Sequence, residues 1–589
     1  MKRLKHTGFL IIIVLLFSSC QDWFDINTSK DDPADVSVDQ SLPIVLFYSS
    51  QLCYDHAEYG VYLSQALTTG GKSQTGAYAY KSGWEFITMN RHPQWRRHYY
   101  DIGVNDKTML DNAQKAGYKN FELIGRTLRL NSTLLTTDAF GDMPRSQMYL
   151  SASPAYDSQE SIYQWMLTEV DELIALYEDP AWVENPGNKT ITTTMDRMFS
   201  GDLGKWRAFT KALKARILIR KLPNWENTPA VCSQIIAAVN DALNDPSYAD
   251  ALYKYSGGDL EKNCPWGPAQ PALTLGWTQG RANLLTDAIP SKFFAYGLLG
   301  AYINNYSQAT RGYALDPRAA RLMTPQTDGT AILLRYLENN IGMPVSQKQT
   351  NYPDLYTKST TVGTNPYTRD DGYIMLMSTE ELLFIKAEAE YWSGDKAAAY
   401  NTTVEAVKQN MTRLGVPNST NAEKNIYNRF FSVRLAGEAV FTIADLMQQK
   451  YVAMYLQPEQ WTDMRRYNYS SKTNGITYDG TYVYTVKNIH NGGRTLNTGD
   501  FNQEFSLTRP YNLYEAYWLT TEDFGQNARF SPNAWINRLN YDPETEDKYN
   551  KSELERLGAY KNYKWLKKRM VWAYNTSGKA QSADTDEWK

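Results

Sequence analysis

Two crowded aromatic stretches are the part of this sequence best suited to chemistry, and the chemistry is that of binding. Tyr78, Tyr80, Trp84, Phe86, Trp95, Tyr99 and Tyr100 fall within 70–100, among Gly70, Gly71, Gly76 and Gly83. Trp266 and Trp277, with Arg281 and Asn283 close behind, fall in a second stretch rich in Pro and Gly. Flat rings offer apolar faces to the C–H faces of sugars, while Asn and Arg side chains bond hydroxyls or carboxylates. Trp84, Trp95, Trp266 and Trp277 are therefore the expected ligand-stacking rings, with Arg281 and Asn283 as polar contacts. Packing of the loops onto a scaffold is the competing explanation for each ring taken singly.

Catalytic constellations are tested and fail. Glu380, Glu381, Glu388 and Glu390 lie within eleven residues, but helix capping and solvated helix faces account for them. Gly71-Lys72-Ser73 ends like a phosphate-binding loop, yet Ala66 stands where that loop needs glycine. Cys53-Tyr-Asp-His56 is half a zinc motif without its second half, and His92 and His98 lack a carboxylate at ligand spacing. We expect no metal, no cofactor and no catalysis. Lys205, Arg207, Lys211, Lys214, Arg216, Arg220 and Lys221 make a basic helix whose charges read as a solvated face with local ion pairs. The basic aromatic stretch 563–574 reads the same way.

The bulk numbers agree with a binder. The chain has 589 residues, 42% hydrophobic and 21% charged, with 61 Lys+Arg against 64 Asp+Glu. A net charge of −3 lacks the basic footprint of a nucleic-acid binder. Mean hydropathy of −0.54 and a single long apolar run exclude a multispanning membrane protein. Tyrosine outnumbers phenylalanine 43 to 19, so most rings carry a polar handle suited to a wet edge.

Location is written in the first twenty residues. Lys2, Arg3 and Lys5 precede an apolar run, Phe9 to Phe17, that is too short to span a bilayer but fits a secretory signal. Ser18-Ser19-Cys20 follows in the manner of a bacterial lipobox, so cleavage leaves Cys20 as the acylated N-terminus, anchored without spanning. Residues 1–19 are thus a lipoprotein signal peptide, 20–36 a lipidated start and tether, and 37–589 one domain. The remaining Cys53, Cys232 and Cys264 are an odd, scattered set that permits one disulfide and suggests no framework.

Helices must position the aromatic stretches. Asp157-Ser-Gln-Glu160 and Ser378-Thr-Glu-Glu381 read as capping boxes opening helices. Gly394 and Asp395 join two helices into a TPR-like hairpin over about 378–413. Further helices are expected at about 39–68, 96–116, 119–137, 204–221, 229–243 and 428–466. Irregular stretches lie between them at 70–94, 180–200, 256–292, 340–372 and 470–550, with a short hairpin strand at 478–486. The predicted class is all-α with minor β-hairpin content.

Seven segments in order then resemble the SusD-like (SusD/RagB) family of outer-membrane nutrient-binding lipoproteins. They are Cys20-Gln-Asp-Trp-Phe-Asp25-Ile-Asn27; Thr137-Asp138-Ala-Phe-Gly141-Asp142-Met-Pro144; Tyr156-Asp157; Gly201-Asp202 with Lys205-Trp206; Asp316-Pro317-Arg318; Glu381 to Glu390 with Gly394-Asp395; and Trp461-Thr-Asp-Met-Arg465-Arg466-Tyr467. The resemblance implies a TPR-like helical hairpin scaffold carrying long irregular ligand-binding loops. It implies a non-catalytic, cell-surface-facing lipoprotein of the outer membrane that binds an oligosaccharide or peptide. It also implies delivery to a SusC-like TonB-dependent transporter. The family has no fixed ligand motif, so the ligand residues rest on the aromatic stretches alone. Two other readings are a surface-anchored glycoside hydrolase using a loop carboxylate pair and a helical-repeat adaptor without a small ligand. Against the hydrolase, 70–100 holds Glu85 as its only carboxylate.

Overall fold

Helix α1 (Val38–Leu63) is buried over nearly all of its second half, and the rest of the scaffold is assembled around it. The computed structural model describes residues 36–69, 93–258, 262–267, 288–299 apart from 292, 316–323, 355, 365–470, 478–489 apart from 479, 501–507, 535–562 apart from 544, and 565–573 apart from 567. Helices α2 (Gly103–Ala116), α3 (Lys119–Phe140), α4 (Gln159–Glu178), α5 (Leu203–Ile219), α6 (Pro229–Leu243), α7 (Thr379–Trp392) and α8 (Lys396–Arg413) follow. From α1 to α8, each helix packs on its successor. Such consecutive stacking buries a continuous core from units that could not bury their apolar stripes alone.

The hairpin α7–α8 is present as expected. Gly394, at φ +95°, makes the left-handed turn that closes α7, and the Asp395 side chain accepts from Ala398 N at 2.9 Å to open α8. Beyond it come α9 (Asn421–Arg434), α10 (Ile443–Ala453) and α11 (Pro458–Arg466). The single helix expected at 428–466 is thus interrupted twice. Gly437 at φ +120° precedes the Thr442 cap, and Leu456 at φ +63° precedes Pro458 in the first turn of α11. Helix α11 then packs back on α1.

Two other boundaries move. Helix α1 ends at Leu63 rather than near 68, because Gln65 takes a left-handed conformation (φ +63°) and turns the chain into strand β1 (Leu67–Thr69). The cap of α4 is Ser158, one residue past the expected Asp157. Asp157 instead accepts from Arg145 N and Ser146 N at 2.9 and 2.8 Å, pinning the turn after α3.

Strand content among the described residues is three antiparallel pairs. Strand β1 pairs with β3 (Ala288–Pro290), β2 (Ala251–Lys254) with β4 (Tyr373–Met377), and β5 (Val483–Ile489) with β6 (Phe501–Ser506). The last is the hairpin expected near 478–486. A short helix, α12 (Lys551–Leu557), belongs to the C-terminal segment 535–573, which lies against α3 and α4. Leu539 N donates to Ala139 O at 2.7 Å, and Val571 N to Gln159 Oε1 at 2.9 Å. Trp565 and Trp572 of the expected basic aromatic face are buried. The buried apolar side chains form one connected cluster from Val38 to Ala573.

Candidate ligand site

One end of each aromatic stretch meets in a single strand ladder. In the β1–β3 ladder, Leu67 faces Pro290, Thr68 faces Ile289 and Thr69 faces Ala288. Ser291 N continues the contact by donating to Ala66 O at 3.0 Å. Thr69 is the last described residue before 70–92, and Ala288 the first after 268–287, so opposed strand partners root both segments. Helix α1, 26 residues or about 39 Å long, separates this ladder from Val36, where the described chain begins.

Trp95 and Trp266 flank those segments, and both are core. Trp95 is 4% exposed and Trp266 2%, so neither offers a ring face to a ligand. Trp95 sits against Tyr99, Phe140 and Tyr541 with centroids 4.8, 5.0 and 5.4 Å away, and its Nε1–H donates to Glu546 Oε1 at 3.1 Å. The Tyr156 hydroxyl and the Asn550 amide also donate to Glu546. Trp266 packs edge-on to Tyr54 at 4.6 Å and lines a small recess with Tyr367, Tyr373, Tyr455 and Pro458. Their expected role as stacking platforms is therefore corrected to packing. An aromatic ring dense in its own neighbours gains more from the core than from solvent. Cys20, Trp84, Trp277, Arg281, Asn283 and the Gly71-Lys72-Ser73 run lie outside the described residues.

The acidic residues of α7 overturn a second expectation. Glu380, Glu381, Glu388 and Glu390 are all buried rather than solvated. Glu381 accepts from Arg216 Nε and Nη2 at 2.6 and 2.7 Å, and Glu380 from Arg413 Nε and Nη2 at 2.5 and 2.8 Å. Glu388 takes both Arg466 Nη atoms at 2.8 Å. Burial pushes the Glu381 carboxyl up despite Arg216. In Glu459, burial also favours the neutral acid, but Arg220 and Arg216 outweigh it and hold the group below its usual value. The basic helix divides likewise: Lys205 and Lys214 stay half exposed beside Asp202 and Asp171, whereas Arg216 and Arg220 are buried.

These pairs connect into a charged spine. Arg220 joins Asp138 (2.8 and 3.1 Å) to Glu459 (2.6 and 2.8 Å), and Asp138 also accepts from Tyr163 and Trp572. Arg466 joins Glu388 to Asp463, and Lys450 lies 2.9 Å from Asp463. Arg465 is held by the carbonyls of Asp138 and Asn537 at 2.5 and 3.0 Å, with its guanidinium 3.5 Å over Trp461. Burial lowers it to about 10. Arg318 is buried on Asp316, Asn410 and Gln449. Asp138, Asp316, Arg318, Glu381, Glu388, Asp463, Arg465 and Arg466 all belong to the segments noted in the sequence. Most of these motif residues are thus ion-pair partners, with Arg465 held by carbonyls instead.

Nothing in this spine is arranged for turnover, because each carboxylate is already saturated by cations or donors. The thiols of Cys53 and Cys264 are pushed up to about 12 by burial and Cys232 to about 11, and all three are free. His56 and His98 are buried, with His98 Nδ1 on Ser132 Oγ at 2.7 Å. Among the described residues no group of three His, Cys, Asp or Glu side chains could hold a metal ion, and no helix is long and apolar enough to cross a membrane.

The SusD-like family described as starch-binding and associating with the outer membrane matches residues 47–271 and 303–487. The chain belongs to this family. Its proteins are non-catalytic binders associated with the outer membrane. Solved structures extend the fold over most of the chain. A SusD/RagB-family protein from Bacteroides thetaiotaomicron is 18% identical, with 92% of this chain and 99% of that one covered at a TM-score of 0.58. A SusD homologue from Bacteroides uniformis is 15% identical, with 91% and 99% covered at 0.57. A chitin-binding SusD homologue from Flavobacterium johnsoniae is 17% identical, with 90% and 95% covered at 0.56. No curated relative matches the sequence. Against this family background, the spine is scaffold, and the ligand must be met elsewhere.

Proposed function

We propose that this chain is a lipoprotein anchored in the outer membrane through Cys20, facing the cell surface. It captures an oligosaccharide and delivers it to a SusC-like TonB-dependent transporter. The β1–β3 ladder is the observation that carries the ligand reading. Because Thr69 opposes Ala288, the chain leaves the ladder into the segment bearing Trp84 beside the point where it returns from the segment bearing Trp277, Arg281 and Asn283. With Trp95 and Trp266 committed to the core, stacking falls to Trp84 and Trp277, and polar contacts to Arg281 and Asn283. The family's description as starch-binding and the chitin-binding relative favour a glycan over a peptide.

Calorimetric titration of the full chain with maltooligosaccharides, chitooligosaccharides and a peptide panel tests this reading. Saturable glycan binding that Trp84→Ala or Trp277→Ala weakens supports it. Binding to peptides alone, or glycan affinity unchanged in both variants, overturns the assignment. We read 37–589 as one unit in this function, a reading supported by the single buried cluster that joins the described residues from Val38 to Ala573.

A further inference from the structure

Gln65 turns α1 into β1 with a left-handed backbone, and donors from far along the chain fix that exit. The carbonyls of Gly60, Val61 and Tyr62 are satisfied locally, by the N–H groups of Ser64, Ala66 and Gln65. Those of Ser64, Gln65 and Ala66 look elsewhere, because a buried carbonyl needs a donor. Tyr451 of α10 donates its hydroxyl to Ser64 O at 3.0 Å. Ser291, which directly follows β3, donates Oγ to Gln65 O at 2.5 Å and its N–H to Ala66 O at 3.0 Å. The same Oγ accepts from Phe294 N at 3.1 Å. The Tyr451 ring then packs edge-on against Phe293 and Phe294, with centroids 5.6 and 5.9 Å away. One tyrosine thus holds both strands: β1 through its hydroxyl, and the chain after β3 through its ring.

Gln460 of α11 locks the arrangement. Ser64 Oγ donates to Gln460 Oε1 at 3.0 Å, shorter than its 3.4 Å approach to Val61 O, and Gln460 Nε2 donates to Tyr451 O at 2.9 Å. Ser64, Gln460 and Tyr451 therefore close a three-residue ring of hydrogen bonds at the foot of the ladder. All three are buried.

We infer that Tyr451 is a positioning residue for glycan recognition, fixing the strand pair in which one end of the Trp84 segment meets one end of the Trp277 segment. The inference rests on the ligand reading proposed above. At 2% exposure Tyr451 acts through the ladder and not by touching the ligand. The ladder is only three residue pairs long, and so short a pair is marginal by itself, so the scaffold must impose its geometry. A site assembled from two segments loses affinity when their separation has to be fixed at the moment of binding.

Calorimetric titration of the full chain with maltooligosaccharides and chitooligosaccharides tests this on Tyr451→Phe, which keeps the ring and removes the hydroxyl, and on Gln460→Met. The control is Tyr177→Phe, which takes an equally buried hydroxyl from Thr127 of α3. Tyr451→Phe and Gln460→Met should each weaken glycan binding by about fivefold or more. Tyr177→Phe should lower the melting temperature comparably and leave affinity unchanged. Hydrogen exchange should speed up at 64–69 and 288–294 in the first two variants and not in the control. Unchanged affinity in Tyr451→Phe, while Trp84→Ala or Trp277→Ala weakens binding, would overturn the positioning role alone. Equal affinity loss in Tyr177→Phe would also overturn it, as general destabilisation. If neither tryptophan variant weakens binding, the ligand reading fails and the role of Tyr451 falls with it.

Discussion

Arg466 grips both carboxylate oxygens of Glu388 at 2.8 Å, and neither side chain reaches solvent. The two residues lie 78 positions apart, on α11 and α7, so the pair ties the C-terminal turn of the scaffold to the TPR-like hairpin. Tyr467 and Lys450 complete the cage around Glu388.

Breaking that pair from one side should be costly. Glu388→Ala leaves buried Arg466 with Asp463 as its one carboxylate partner besides the carbonyls of Ile219 and Leu222, and removing one partner of a buried ion pair typically costs about 3–5 kcal/mol. Denaturant unfolding should show that loss. A variant with apolar residues at both positions should recover part of it, because the desolvation of two charges disappears with the pair. Equal stability of Glu388→Ala and wild type would remove the spine from any structural role.

Trp95 and the loop tryptophans should separate stability from binding. Trp95→Ala empties a site packed by Tyr99, Phe140 and Tyr541 and should lower stability by about 3–5 kcal/mol, leaving glycan affinity of the folded fraction intact. Trp84→Ala or Trp277→Ala should do the reverse, costing about 2 kcal/mol of binding at a hot-spot ring with little change in melting temperature. Thermal melts alongside calorimetry read both quantities on the same preparations.

Acid should destabilise the fold through two histidines. Burial, reinforced by Arg465 and His98 around His56 and by Arg129 around His98, lowers each from the ordinary 6.5 to about 3. Between those values the unfolded chain binds the protons that the folded chain refuses, so stability falls as pH drops from 6.5 towards 3. The slope approaches about 1.4 kcal/mol per pH unit for each histidine. Above pH 6.5 this contribution is constant. Chemical denaturation of wild type and His98→Asn across pH 4–7 should show a shallower acid slope in the variant.

Gly141 should resist substitution. It sits at φ +88°, and an added Cβ would lie 2.7 Å from Arg538 Nη1, which belongs to the C-terminal segment. Arg538 donates onward to the carbonyls of Lys568 and Arg569 at 2.8 and 2.6 Å. Gly141→Ala therefore strains the turn and displaces that segment together, at a cost of about 1–3 kcal/mol. Hydrogen exchange should speed up in 535–573 before it does in α7 and α8.

Cys20→Ala should release the protein from membranes or leave it as uncleaved precursor, because the acyl chains are lost. Cell fractionation with fatty-acid labelling reads this directly, and label retained by the variant would count against the anchor.

Signals confined to one stretch of chain were readable without a fold. The Ser378 and Asp395 caps, the Gly394 turn and the order of the motif segments depend on neighbours a few positions away. They sufficed for the helical class, the hairpin and the family. Burial was not readable, because it is decided by partners far along the chain. Glu381 looks like a capping-box glutamate, and its backbone N–H is indeed capped by Ser378, yet its carboxylate is taken by Arg216, 165 positions upstream. Asp157 and Ser158 both have cap chemistry, and the choice fell to Ser158 because the turn at Arg145 and Ser146 claims the aspartate. Trp95 and Trp266 sit beside Gly-rich and Pro-rich segments and share the composition of Trp84 and Trp277. Whether a ring faces its own core or a ligand depends on what the tertiary structure brings against it, and for these two it brought Phe140, Tyr541 and Tyr54.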